Sequence, residues 1–112
     1  MISGAHVILY SSDAEADKIF FRDILRFPNV DAGSGWLIFA LPPSELAVHP
    51  GENNGATELY FMCNDIEEFV NLMSLKNIPC EPVSKQRWGL LTSVTLPGGS
   101  RIGVYQPLHP RH

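Results

Sequence analysis

The sequence predicts an α+β fold in which two βαβββ modules follow one another in a single domain over residues 1–112. In each half, a run of alternating apolar residues gives way to apolar residues at helical spacing, and further strand-like runs follow. An offset of 52 residues superposes the helix caps and strand starts of the two halves. The pairs that it matches are Asp13 with Asp65, Glu15 with Glu67, and Trp36 with Trp88.

The first module covers about residues 4–50 and begins with a predicted strand over 5–11, which is rich in β-formers. Ser12 and Glu15 fit a capping box, so a helix is expected to begin here and to run to about Arg26, before Pro28. Its apolar stripe is expected to pack on a sheet. Three further strands are predicted, over residues 29–33, 35–41 and 45–49.

A polar, turn-forming stretch over residues 50–55 separates the modules, and the second module covers about residues 56–107. It repeats the pattern, with a strand at 57–63 and a capping box of Asn64 and Glu67 that opens a second amphipathic helix. Three more strands are predicted. They lie at 80–83, 88–96 and 101–106, with a tight Pro-Gly-Gly turn between the last two.

The composition excludes several classes of protein. The net charge of −4 and the lack of a long basic run argue against nucleic acid as a partner. No run of about 18 apolar residues is present to span a membrane, and the first residues lack the pattern of a secretory signal. We therefore expect a cytoplasmic protein in which Cys63 and Cys80 stay reduced. Residues 109–112 are predicted to be a mobile tail.

Three segments resemble the vicinal oxygen chelate superfamily, which includes glyoxalase I, bleomycin-resistance proteins and extradiol dioxygenases. Residues 6–13 (HVILYSSD) resemble its first strand and helix cap, residues 20–27 (FFRDILRF) its helix end "FYRDVLGF", and residues 96–102 (LPGGSRI) its turn "DPDGNRI". The resemblance implies a curved mixed sheet with the helices on the outside. It covers about residues 4–107 and is more specific for the fold than for a reaction.

In metal-dependent members of this superfamily, the first and last strands of each module carry the ligands. The resemblance places His6 and Glu58 at the first-strand positions, where they would suit Zn, Fe, Mn or Ni. The usual glutamate of the last strand is replaced by Gly103, and Ala47 is its equivalent in the first module. A shifted register would instead bring Glu45 or His49 to the site. The prediction is thus a degenerate site that holds one divalent metal or none.

The same replacements allow a second interpretation, in which Ala47 and Gly103 enlarge an apolar cavity that binds a small molecule. Aromatic and apolar side chains would form its walls. The candidate ligand-binding residues are Tyr10, Trp36, Phe39, Ala47, Tyr60, Met62, Trp88, Gly103 and Tyr105.

Three functions remain open from the sequence. The first is a small-molecule binding protein of the bleomycin-resistance type. The second is a metal-dependent lyase, isomerase or dioxygenase acting on a substrate with vicinal oxygens. The third is a cofactor-free enzyme with a carboxylate base in a dry pocket, and Glu58 is the catalytic candidate. The resemblance also implies a homodimer.

Overall fold

The structure, a computed structural model, describes residues 6–50, 52, 54 and 57–111. Ala5 of the predicted first strand, residues 51, 53 and 55 of the predicted turn, and His112 of the tail lie outside the described residues. The described residues form two helices and six strands. They are α1 (Ala14–Ile19), followed by a π-helical segment (Phe20–Ile24), β1 (Asn29–Asp31), β2 (Leu37–Phe39), β3 (Tyr60–Met62), α2 (Ile66–Leu75), β4 (Ser84–Gln86), β5 (Gly89–Thr95) and β6 (Arg101–Pro107).

Both helices begin one residue after an aspartate, which corrects the predicted caps at Ser12 and Asn64. The Asp13 carboxylate accepts a hydrogen bond from the Ala16 N–H, and that of Asp65 accepts bonds from the N–H groups of Glu67 and Glu68. Each aspartate satisfies donors that the first helical turn leaves free, and its charge is favourable at the positive end of the helix dipole. The two caps lie 52 residues apart, as the repeat predicts.

The first helix changes character instead of continuing to Arg26 as predicted. After α1, the backbone widens into π-helical turns, in which the Leu25 N–H donates to the Phe20 carbonyl at 3.1 Å. Arg26 then takes a left-handed conformation at φ 63°, and Pro28 follows, so the helix cannot continue.

The strands form two sheets. One has four strands in the order β3-β6-β5-β4, with β3 parallel to β6 and the other pairs antiparallel. The second is the antiparallel ribbon of β1 and β2. The predicted strand at 80–83 is reduced to a bridge between Cys80 and Val94, and β4 forms just after it.

The main core lies between the helices and one face of the four-stranded sheet. Its buried members are Phe20, Met73, Val94, Leu96 and Ile102. By the period of two, alternate residues of β5 and β6 point to this core and the others to the opposite face. We call that opposite face of the four-stranded sheet the open face.

Two predicted strands of the first module are absent. Residues 6–11 and 41–50 form neither helix nor strand, and every residue from 6 to 10 is exposed. Ile8 is 64% exposed and Leu46 is 91% exposed. A strand needs a hydrogen-bonding neighbour as well as a suitable sequence, and no strand among the described residues pairs with these segments. Within the described residues, no helix is long and apolar enough to cross a membrane.

One buried carboxylate connects the two modules. Asp17 of α1 is 4% exposed, and its Oδ1 accepts a hydrogen bond of 2.7 Å from the Gly98 N–H in the turn between β5 and β6. A Cβ at position 98 would overlap the Ser11 hydroxyl and approach Asp17 Oδ2 to 2.9 Å. Only glycine lets the turn come this close to α1.

Candidate binding site on the open face of the sheet

Strand register brings aromatic side chains together on the open face. Tyr60 of β3 lies beside Gly103 of β6 in the parallel ladder, and Tyr105 is two residues further along β6 on the same face. Trp88 directly precedes β5, where Gly89 pairs with Pro107. We call Tyr60, Trp88 and Tyr105 the aromatic triad.

Two glycines form the floor beneath the tyrosine rings. A Cβ on Gly103 would overlap the Tyr60 ring, and a Cβ on Gly89 would approach the Tyr105 ring to 2.7 Å. The rings therefore lie directly against the backbone of the sheet. Gly103 does not leave an empty cavity, as the sequence interpretation supposed, because the Tyr60 ring occupies the space.

The three rings of the triad contact one another edge to face. The ring centroids of Trp88 and Tyr105 are 4.9 Å apart at 86°, those of Tyr60 and Trp88 are 6.0 Å apart at 73°, and those of Tyr60 and Tyr105 are 6.1 Å apart at 87°. This is the favourable arrangement for aromatic pairs. Tyr60 is 40% and Trp88 38% exposed, so ring surface remains open to solvent.

Polar groups surround the triad. The Tyr60 hydroxyl donates to Glu58 Oε2 at 2.9 Å. The Tyr105 hydroxyl lies 2.9 Å from His109 Nε2, and His109 Nδ1 lies 2.8 Å from the Pro110 carbonyl. Because a carbonyl only accepts, Nδ1 carries the hydrogen, and in the neutral ring Nε2 then accepts from Tyr105. Next to them, Arg111 pairs with Glu45 at 4.0 Å.

These surroundings keep both phenols protonated. The hydrogen bond to Glu58, followed by burial, raises the pKa of Tyr60 above its ordinary 10.0. Burial and the negative charge of Glu45 raise the pKa of Tyr105, against the opposing effect of Arg111. Because both pKa values are raised in the folded chain, the stability linked to these groups is complete below pH 10 and is lost as the pH rises through the folded values.

Several of the other predicted site residues take no part in the ring contacts of the triad. Tyr10 is 85% and Trp36 70% exposed. His6, Ala47 and His49 are exposed on segments without regular structure. Phe39 contacts Phe21 on the helix side, with ring centroids 5.8 Å apart. Met62 is the partner of Tyr105 in the ladder of β3 and β6, and it also lines an apolar cavity between the helices and the sheet.

The predicted metal ligands do not come together. Among the residues that the structure describes, no three His, Cys, Asp or Glu side chains are grouped so that they could hold a metal ion. Glu58 is bonded to Tyr60 and Glu45 is paired with Arg111. The donor set therefore does not fit the metal centre that the resemblance implied. Glu58 is also exposed, unlike a carboxylate base in a dry pocket.

The cavity that Met62 lines is a weaker candidate for a binding site. Its volume is about 130 Å³ and its lining is apolar. Sites for drug-sized ligands usually measure about 300–1,000 Å³ and include a few polar groups. The open face provides such polar groups beside its rings, so it is the better candidate.

Sequence reasoning missed three residues of this region, namely Gly89, His109 and Arg111. Residues 109–111 were expected to belong to a mobile tail, but the Leu108 N–H donates to the Trp88 carbonyl at 2.9 Å and directs the following residues onto the open face. The sequence contains a pattern that predicts the position of His109. The period-two alternation of β6 through Gly103 and Tyr105 continues to His109 if the chain stays extended.

Comparisons with known structures show the fold. The chain is similar to the antibiotic binding protein TnmS3 from Streptomyces sp. CB03234, with 21% identity, a TM-score of 0.67, and coverage of 96% of this chain and 99% of that chain. It is similar to a lactoylglutathione lyase from Agrobacterium tumefaciens, with 17% identity, a TM-score of 0.63, and coverage of 93% and 92%.

A third similar structure is a glyoxalase/bleomycin resistance protein from Streptomyces sp. CB03234, with 16% identity, a TM-score of 0.54, and coverage of 86% of this chain and 93% of that chain. No protein-family model and no curated protein matches the sequence. The chain thus has the α+β fold of glyoxalase/bleomycin resistance proteins, which confirms the resemblance to the vicinal oxygen chelate superfamily at the level of the fold.

Proposed function

We propose that this protein binds a small organic molecule with a flat ring on the open face of its four-stranded sheet, without transforming it. The observation that carries the proposal is the aromatic triad. Two of its rings lie against glycines of the sheet, and Tyr60 and Trp88 keep ring surface exposed. Aromatic rings held in fixed positions offer a large contact area for stacking at a low cost in conformational entropy.

The similar structures support a binding role. One of them is described as an antibiotic binding protein and another as a glyoxalase/bleomycin resistance protein. The lactoylglutathione lyase among them has the same fold and is named for an enzyme activity. The fold is therefore compatible with either role, and the side chains of this chain decide between them.

The side chains favour binding over metal-dependent catalysis. His6 and His49 are exposed on irregular segments, while Glu58 and Glu45 are engaged by Tyr60 and Arg111. A metal site with a position open to substrate needs about three protein ligands that converge on one point. The described residues contain no such group, so the proposed function includes no metal-dependent step.

Binding is tested with 2-naphthol, a neutral flat probe, by following the indole N–H resonances of Trp36 and Trp88. On addition of 2-naphthol, we expect the chemical shift of the Trp88 resonance to change and that of Trp36 to remain constant. Because Trp88→Leu removes the reporting indole, the affinities of the variants are measured by isothermal titration calorimetry. Trp88→Leu should weaken binding about two- to tenfold, whereas the matched control Trp36→Leu should leave it unchanged.

Two results would contradict this proposal. One is equal affinity for 2-naphthol in the wild type and in Trp88→Leu. The other is stoichiometric metal in untagged protein lacking residues 109–112, measured by plasma mass spectrometry, that disappears in His6→Ala/Glu58→Ala. That result would support the metal-dependent lyase, isomerase or dioxygenase instead.

We also propose that the chain forms a homodimer. Its accessible surface is 8776 Å², whereas a compact monomer of its mass exposes about 6,100 Å². The excess is of the order of 2,600 Å², close to the upper end of the about 1,000–2,500 Å² that one protomer of an obligate dimer buries. The radius of gyration, 15.0 Å, also exceeds the about 13 Å expected for this length.

The exposed apolar segments of the first module are the surface that a second copy would cover. Ile8, Tyr10, Leu46 and Val48 are 64%, 85%, 91% and 88% exposed. We expect sedimentation equilibrium at micromolar concentration to give twice the chain mass of 12.4 kDa. Leu46→Glu should shift the protein to a monomer, and the control Leu75→Glu, on an 81% exposed residue of α2, should not. A monomeric wild type would contradict the proposal.

A further inference from the structure

We propose that the open face selects an organic cation, a ring compound with an alkylated ammonium group that lies against the aromatic triad beside Glu58. This inference rests on the proposed function and names the chemical class of its ligand. Three features support it. They are the exposed ring faces, the charge of Glu58, and the ion pairs that Arg111 and Arg101 form with other carboxylates.

The first feature is the density of ring surface. Three ring centroids lie within 6.1 Å of one another, so one ligand group can contact more than one ring. The negative face of an aromatic ring attracts a cation within about 6 Å of its centroid, and tryptophan and tyrosine are among the best partners. An alkylated ammonium group suits this surface because it is weakly hydrated and covers several rings with methyl groups.

The second feature is the bond between Tyr60 and Glu58. The Tyr60 hydroxyl donates a hydrogen bond to a carboxylate, which increases the electron density of the Tyr60 ring. The face of this ring therefore attracts a cation more strongly. Glu58 also supplies a negative charge next to that ring. Among the ion pairs formed by the described residues, none includes Glu58.

The third feature is how the other charges are arranged. Arg111 lies 4.0 Å from Glu45, so these two largely compensate each other. His109 is bonded to the Tyr105 hydroxyl through Nε2. Arg101 is the first residue of β6 and lies on the same face as Gly103 and Tyr105. It is paired with Glu81 at 3.2 Å. Glu58, which is hydrogen-bonded to Tyr60, therefore carries a negative charge that no ion pair among the described residues compensates, and this charge disfavours an anionic ligand.

Two probes of the same shape test the inference. They are 4-(trimethylammonio)phenol, a cation, and 4-tert-butylphenol, in which a carbon replaces the charged nitrogen. We use the full chain carrying Trp36→Phe, so that the one remaining indole N–H resonance reports on Trp88, and we titrate each probe at neutral pH. We expect the cation to bind about fivefold or more tightly than its neutral counterpart.

A variant pair assigns the preference to Glu58. Glu58→Gln removes the charge and retains a group that can accept from Tyr60, so the ratio of the affinity for the cation to that for 4-tert-butylphenol should fall in this variant. The matched control is Glu67→Gln on α2, which removes one charge on the helix side and should leave both affinities unchanged.

The outcomes separate this inference from the proposed function. Equal affinity for the two probes, with the Trp88 resonance shifted by both, overturns the cation preference and leaves the binding role standing. A cation preference that persists in Glu58→Gln overturns the assignment to Glu58. If neither probe nor 2-naphthol moves the Trp88 resonance, the proposed function fails, and the inference fails with it.

Discussion

The two modules of this chain share one sequence pattern but differ in how much of it becomes sheet. The second module, from residue 57 onward, has its helix packed on a four-stranded sheet. In its described part, from residue 6 onward, the first module has a helix and only the short ribbon of β1 and β2, each three residues long. Its segments at 6–11 and 41–50 lie outside any strand.

This difference shows that alternating apolar residues indicate that a segment can form a strand. Whether the strand forms depends on the presence of a hydrogen-bonding partner strand. β5 and β6 are joined by a tight turn, so each finds its partner locally and one face is then covered by α2. Residues 6–11 need a partner from a distant part of the chain or from a second copy. Such non-local pairing loses more chain entropy before any contact forms.

The caps are the part of the pattern that is the same in both modules. Asp13 and Asp65 both accept hydrogen bonds from their own first helical turn, and β2 and β5 start at Leu37 and Gly89, again 52 residues apart. These features depend on a few adjacent residues, so the repeat preserves them even where the sheets differ.

The largest expected difference between the modules concerns their isoleucines. Ile102 is 3% and Ile8 64% exposed. In the Leu46→Glu background, where we expect a monomer, Ile102→Ala should lower the free energy of unfolding by about 2–5 kcal/mol because it leaves a cavity in the core. Ile8→Ala should change it by less than about 0.5 kcal/mol. Urea denaturation measures both, and similar losses would show that the first module is packed as well as the second.

A medium effect is expected at the contact between the modules. Asp17→Ala leaves the Gly98 N–H without its acceptor and should lower the free energy of unfolding by about 1–3 kcal/mol. The control is Glu15→Ala on the same helix, whose side chain is 82% exposed in a surface pair with Lys18 and should matter little. Equal effects of the two replacements in urea denaturation would mean that the Asp17 contact does not join the modules.

The smallest effect sharpens the comparison of the caps. Asp65 accepts from two N–H groups of a ten-residue helix, whereas Asp13 accepts from one N–H group of a six-residue helix. Replacement by alanine should therefore cost about 1–2 kcal/mol at Asp65 and about 0.5–1 kcal/mol at Asp13. Thermal unfolding of the two variants measures the order. A larger loss at Asp13 would reverse our ranking of the modules.

Part of the candidate site could be predicted from the sequence. Tyr60, Trp88 and Tyr105 were expected to line a binding surface, and the second module brings all three together because β6 pairs with β3 on one side and with β5 on the other. Tyr10 and Trp36 were expected beside them, but both are largely exposed and neither contacts the rings of the triad. Their positions depend on how the first module meets the second, which no local pattern encodes.

The sequence by itself determined the features that arise from neighbouring residues. These are the order of those helices and strands that form, the repeat, the start of each helix within one residue, the turn between β5 and β6, and the alternation that separates core residues from the open face. Each follows from backbone hydrogen bonding and side-chain period over a few residues, so a linear pattern is sufficient to predict it.

Only the tertiary structure decided which side chains meet. It placed the Tyr60 ring on Gly103 and directed the chain after β6 onto the open face, and among the described residues it formed no group of three potential metal ligands around His6 or Glu58. It also left the first module without strands at 6–11 and 45–49. These outcomes depend on packing and hydrogen bonding between residues far apart in the chain, where a change of one partner moves a side chain into or out of the site.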